Sequence, residues 1–205
     1  MELARPRTYV ESTVVERAKE TFWEKGYEAT AMGDLEARTG LSRSSLYLAF
    51  GAKRSLFEIA LDRYFDSFID PLLEPMEQSP GGTKGVLIFF SRVKDVLLGE
   101  LPTAQRGCLM VNTIAELAGR DEDATGRAIS FRDRLRRAFA QSLGGQDVSP
   151  RMRSDVIRRR SSMLATATLG IWISARIDPV DAAVLCDEIA AEVASWPSSP
   201  ARVRR

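Results

Sequence analysis

The chain contains no histidine and only two cysteines, Cys108 and Cys186. Without histidine, Ser-His and Cys-His nucleophilic catalysis and histidine-ligated metal sites are excluded. Two cysteines alone do not complete a structural zinc site and are too few for a disulfide framework. Long apolar runs are missing too, and none approaches the roughly 20 residues that span a bilayer. The opening segment MELARPRTYV is too poor in apolar residues for a secretory leader, so a cytoplasmic location is expected. No catalytic residue, metal, cofactor or membrane partner is expected. An excess of charge of one sign is also lacking, since the net charge is +1. With 205 residues the chain can bury a sizeable core, as one domain or as two small ones.

The distribution of charge says more than its sum. Residues 11–36 hold seven acids (Glu11, Glu16, Glu20, Glu24, Glu28, Asp34, Glu36) against three bases, Arg17, Lys19 and Lys25. Residues 37–57 hold four bases (Arg38, Arg43, Lys53, Arg54) and no acid. Arg5 and Arg7 lie on a short arm just ahead of the first helix. A face that approaches phosphates needs such local positive charge, although a solvated charge run reads the same way.

Apolar spacing is helical almost throughout. Val14, Val15, Ala18 and Phe22 stripe a helix over 10–25, ended by Gly26. Thr30 reads as the N-cap of a short second helix, with Asp34 in its first turns and Met32, Leu35 and the stem of Arg38 on its inner side. Gly40 supplies a tight turn, and Ser42 caps a third helix running to about Ala49, whose back is anchored by Leu41, Leu46 and Phe50. A longer helix begins near Ala52, and Pro71 and Pro75 are expected to kink or end it. Ser79-Pro80-Gly81-Gly82-Thr83 reads as a linker. Helices are expected over 84–98, 107–118, 122–143, 150–176 and 178–195, with Gly144-Gly145 stopping one and Asp178-Pro179 opening the last. No segment reads as a strand. The expected class is all-α with about nine helices.

Two short helices around a glycine turn, the second polar outside, describe a helix-turn-helix, a pattern that any αα-hairpin can imitate. Ser42, Arg43, Ser44 and Ser45 put small or flexible donors at the second helix's N-terminal end, where base edges would be met.

The segment 18–22, then Gly26-Tyr27, Thr30 and GLSRSSLYLAFGAKRSLFEIAL over 40–61, resembles the DNA-binding head of the TetR family of bacterial repressors. Gly40, Leu41, Ser42, the Leu46-Tyr47 pair, Phe50, Lys53 and the Leu56-Phe57 pair stand in the register of that family's pattern. The resemblance implies a three-helix DNA-binding domain over 1–52 and a ligand-sensing and dimerisation domain over 53–205. It implies that Thr30, Tyr47 and Lys53 contact phosphates, together with backbone N–H groups at helix starts, and that Arg43, Ser44 and Ser45 face bases. Arg43 is the candidate for guanine, a bidentate pair worth ~1–3 kcal/mol of discrimination. The competing reading of Tyr47 is a core tyrosine. Two departures stand out. Leu48 and Ala49 replace the aromatic or histidine that often follows the tyrosine, and Ser44 stands where glycine is usual.

By the same resemblance, the last two helices pair with those of a second copy, and the homodimer binds a palindromic operator in double-stranded DNA. Small-molecule inducer binding would fall to Phe65, Phe68, Phe89, Val93, Met110, Asn112, Thr113, Glu116, Phe131, Arg132, Thr168 and Trp172, most of which read equally as plain core. Cys108, at a helix start beside Arg106, is a candidate redox or electrophile sensor, with buried packing as the competing reading. Cys186 reads as inert packing. Repressor and activator are not separable from sequence. The rival class is a helical ligand-binding protein or enzyme whose head only resembles a DNA binder. Arg202, Arg204 and Arg205 form a basic tail, read as solvated.

Overall fold

The computed structural model describes residues 10–78, 81–99, 101–144 and 150–196. Arg5, Arg7, Ser79, Pro80, Gly145, Arg202, Arg204 and Arg205 lie outside the described residues. The all-α expectation holds: the described residues form eleven α-helical segments and one π-helical segment, with no strand among them. The chain divides into two compact units, Met1–Ser67 and Phe68–Arg205. The head therefore runs past the expected boundary at residue 52, because the helix after it is part of the head's core.

That core is aromatic. Helix α1 (Glu11–Lys25) buries Val14, Val15, Ala18, Phe22 and Trp23, the face its spacing predicts. Helix α4 (Lys53–Tyr64) buries Leu56, Phe57, Ala60, Leu61 and Tyr64. Phe57 meets Phe22 edge-on at 5.0 Å and Tyr64 meets Trp23 at 5.1 Å, favourable geometries for aromatic pairs. Arg63 of α4 also bonds Glu16 of α1 at 3.2 Å. Helices α2 (Met32–Thr39) and α3 (Arg43–Phe50) pack in sequence between them. Gly40, at φ 76° and ψ 10°, makes the left-handed turn that joins α2 to α3.

In the second unit, α6 (Lys84–Leu97) packs on α5 (Asp70–Gln78) and α11 (Pro179–Ser195), while α9 (Glu122–Leu143) packs on α5 and α10 (Pro150–Ser174). Helix α7 (Leu101–Arg106) and helix α8 (Leu109–Leu117) complete it. Phe89, Phe90 and Phe139 form an aromatic cluster at centroid spacings of 5.2 to 6.0 Å. Asp178 caps α11 as expected, accepting from Val180 N at 2.9 Å and Asp181 N at 3.1 Å. 

Of the two outcomes expected of Pro71 and Pro75, a kink or an end, the second does not occur, since α5 runs through both. Helix α5 begins at Asp70, which puts Pro71 in its first turn, where the missing N–H is tolerated. The chain takes a wider π turn over Phe65–Ile69 just before it, next to the carbonyl that Pro71 leaves without a donor. Pro75 in turn deprives the Pro71 carbonyl of its partner, and the Arg92 guanidinium of α6 donates to that oxygen instead. At Pro75, then, a neighbouring helix satisfies the carbonyl that the proline leaves open.

Candidate nucleic-acid interface

Helix α3 is eight residues long and is held from one side only. Leu46 and Phe50 are buried; Leu41 is half-buried. At about 100° per residue the opposite side carries Ser44 and Leu48, with Ser45 to one side and Tyr47 to the other, while Arg43, the first residue of the helix, lies nearer the buried side. Ser42, Arg43, Ser44, Tyr47 and Leu48 are exposed and Ser45 half-buried. Tyr47 is 47% exposed, which removes the core-tyrosine reading.

The start of α3 is capped twice. Ser42 Oγ accepts from Ser45 N at 3.3 Å, as its position predicts. Glu36 of α2 accepts the Arg43 main-chain N–H at 2.6 Å, and its other oxygen lies 3.6 Å from Arg43 Nε. The three serine hydroxyls stand close together, Ser42 Oγ lying 3.0 Å from both Ser44 Oγ and Ser45 Oγ. Hydroxyls of this kind rotate between donating and accepting.

Thr30 sits differently from its expected place. It is fully buried, and its hydroxyl donates to the Gly26 carbonyl at 2.5 Å. The N-cap of α2 is Ala31, whose N–H is taken by Asp34 at 2.8 Å. Asp34 also accepts from Lys25 at 2.6 Å, and these two bonds hold its carboxyl below the usual carboxylate range. The Thr30 carbonyl accepts from Lys53 Nζ at 2.7 Å, and the same ammonium lies 4.5 Å from the centre of the Tyr27 ring. Thr30 and Lys53 thus lock the loop before α2 to the start of α4, a start with no side-chain cap. The inner side of α2 is Leu35 and Thr39, while Arg38 is exposed. Thr39 can be buried because its hydroxyl donates to Leu35 O at 2.6 Å.

The sensing candidates of the second unit are mostly spoken for. Phe89, Val93, Met110, Phe131 and Trp172 are buried, and Phe68 lies 5.8 Å from Trp172. Phe65 belongs to the other unit. Thr113 and Thr168 spend their hydroxyls on Leu109 O and Leu164 O, each one turn back at 2.9 Å. Asn112 donates to Arg106 O at 2.8 Å, and Arg132 pairs with its neighbour Asp133 at 3.1 Å. Glu116 is half-buried. Cys108 occupies the N-cap of α8 with no exposed surface, short of the access that a thiol sensor needs. Cys186 is also buried, and burial together with the nearby Asp187 charge pushes its thiol up to about 12. Among the described residues, no group of three or more His, Cys, Asp or Glu is placed to hold a metal ion. No described helix is long and apolar enough to cross a membrane.

Two residues of this surface escaped sequence reasoning as contributors. Leu48 is 91% exposed, a large apolar side chain aimed away from the core. Glu36 is one acid among several in the sequence, and only the fold brings it to Arg43. A signal for Leu48 existed in its two-residue offset from both buried positions of the helix, Leu46 and Phe50; none existed for Glu36.

Residues 14–60 match the family described as bacterial regulatory proteins, tetR family. The HTH-type transcriptional repressor ComR of Escherichia coli (strain K12) is 30% identical over 115 residues, which are 56% of this chain and 54% of ComR. An uncharacterized HTH-type transcriptional regulator of Bacillus subtilis (strain 168), YezE, is 31% identical over 123 residues, 59% of this chain and 61% of YezE. The chain thus spans a little over half the length of these curated relatives. A cysteine mutant of the TetR family transcriptional regulator CifR, complexed with 26-base-pair double-strand operator DNA, superposes with a TM-score of 0.67 at 26% identity, covering 94% of this chain and 100% of the other.

Proposed function

We propose that this chain, whose residues 14–60 form a tetR-family head, is a DNA-binding transcriptional repressor that acts as a homodimer on a palindromic operator and is released by a small-molecule inducer. The observation that carries the reading is the outward face of α3, where Arg43, Ser44, Tyr47 and Leu48 are exposed on a helix anchored from behind by Leu46 and Phe50. A helix so mounted can enter a major groove. Arg43 and the serines would meet base edges. Tyr47 and the uncapped start of α4 at Lys53 would meet phosphates, and Thr30 would act through Lys53, which it holds in place.

One recognition helix gives modest affinity, and a symmetric pair on a palindrome multiplies it. The second unit offers candidates for that pairing: Ile173 near the end of α10, Ile177 in the turn after it, and Val180 and Val184 of α11 are exposed apolar side chains. An inducer that binds one arrangement of the second unit better than another would weaken DNA binding, and DNA would weaken inducer binding by the same factor. The reading implies a cytoplasmic protein with no enzymatic step.

Selection of bound duplexes from a random pool, followed by titration at two salt concentrations, tests it. The expected result is enrichment of a palindrome with half-sites about one helical turn apart (~34–36 Å), lost in Arg43→Ala and weakened in Tyr47→Phe. A folded protein that enriches no sequence at either salt overturns the reading.

A further inference from the structure

We infer that Glu36, a residue of α2, is a positioning residue that sets which base Arg43 accepts, by holding both the main chain and the guanidinium of Arg43 with one carboxylate. The inference rests on the DNA-binding reading and goes beyond it. The two oxygens of Glu36 do different work: one takes the Arg43 N–H at 2.6 Å, the other lies 3.6 Å from Arg43 Nε.

The first contact fixes the start of α3. Arg43 is the first residue of that helix, where main-chain N–H groups have no helical partner and favour an anion. In a DNA-binding head that anion could be a phosphate. Glu36 fills the place first, and its charge repels a phosphate that would otherwise draw α3 into a sequence-blind contact. The second contact acts on the side chain. Arg43 is 60% exposed, so without a tether its four torsions sample many directions. A carboxylate on the Nε side of the guanidinium leaves the terminal amino edge as the outward one, suited to the paired acceptors O6 and N7 of guanine. An exposed ion pair stabilises the fold little. Its effect falls on discrimination, because Arg43 leaves Glu36 without gain when the base opposite is not guanine.

The test uses the full chain and the duplex recovered by wild-type selection, with each base pair varied in turn. Arg43→Ala identifies the base pair that Arg43 reads. Glu36→Gln retains an oxygen for the main-chain N–H but removes the charge. It is expected to lower discrimination at that base pair by about 3–10-fold, within the range one bidentate contact supplies. It is also expected to tighten binding to unrelated duplex and steepen the dependence on salt, by up to about one counterion. In the Arg43→Ala background, Glu36→Gln should leave base discrimination unaltered. Glu36→Asp keeps the charge with a shorter reach, and is expected to relax the same base pair without tightening unrelated duplex.

Unchanged discrimination in both Glu36 variants overturns the inference while leaving the DNA-binding reading intact. So does a uniform loss across all base pairs that persists without Arg43, which would mark Glu36 as a residue of stability only. Absence of any enrichment by the wild type overturns the DNA-binding reading, and this inference with it.

Discussion

Leu48 lies opposite the buried side of α3 and is almost wholly exposed, which leaves its side chain available to an apolar group of a partner. In a major groove that partner is the methyl group of thymine. Replacing thymine by uracil at the facing position is expected to weaken wild-type binding about fourfold, the worth of one buried methyl, and to leave Leu48→Ser indifferent. A wild type indifferent to uracil at every position would remove Leu48 from base reading. The two thiols make the opposite case, being present but withdrawn. Cys108 and Cys186 are both buried, and burial pushes the Cys186 thiol up to about 12. Labelling of the native protein with an aromatic disulfide at pH 8 is expected to run on the order of 100-fold slower than in denaturant at both sites. Rapid labelling of Cys108 in the native protein would restore it as a sensor.

Elements in this molecule are fixed to one another by a few well-placed groups. Glu16 joins α1 to α4 through Arg63 and bonds the buried Lys19 of its own helix. Partial burial opposes its charge, but the Lys19 and Arg63 bonds outweigh it and hold the carboxyl below its ordinary 4.5. A carboxyl lowered on folding stabilises the head above its unfolded pKa, and the gain is lost as pH falls through the folded value. Glu16→Gln should therefore narrow the difference in thermal midpoint between pH 7 and pH 3, and an unaltered difference would exclude that role. Helix α5 is bound more densely. Arg134 of α9 reaches Asp70 at 2.5 Å and Glu77 at 3.1 Å, while Gln141 donates to the Glu77 carbonyl. Gly85 of α6 permits the close approach on the other side, since a Cβ there would stand 2.7 Å from the Pro75 carbonyl and 2.6 Å from Ser142 Oγ. Gly85→Ala is expected to destabilise the protein by about 1–3 kcal/mol in urea melts, because the obstacle is partly backbone. A neutral outcome would show that α5 and α6 part easily.

For the whole molecule, the exposed Ile173, Ile177, Val180 and Val184 bear on assembly. Ile177 is 82% exposed, and a charge there should disturb a dimer far more than the fold. Ile177→Asp is expected to shift the mass measured by light scattering from dimer towards monomer and to lower operator affinity at least about 10-fold, with helical content retained. A variant that stays dimeric and binds normally would move the interface elsewhere.

The all-α class, the order of the helices, the glycine turn and the caps at Ser42 and Asp178 were legible in the sequence, because they depend on apolar spacing and on the chemistry of neighbouring residues. The outward residues of α3 were legible for the same reason. What lay beyond the sequence depends on groups far apart in the chain. The head extends to residue 67 because Phe57 and Tyr64 close on Phe22 and Trp23. Helix α5 persists through Pro75 because Arg92 serves the carbonyl left open. Thr30 turns inward because Gly26 offers it an acceptor and Asp34 does the capping. Glu36 meets Arg43 because the turn at Gly40 folds α2 back to the start of α3. Local pattern decided which segments are helices and what they display; only packing decided which polar groups remain free to meet a partner.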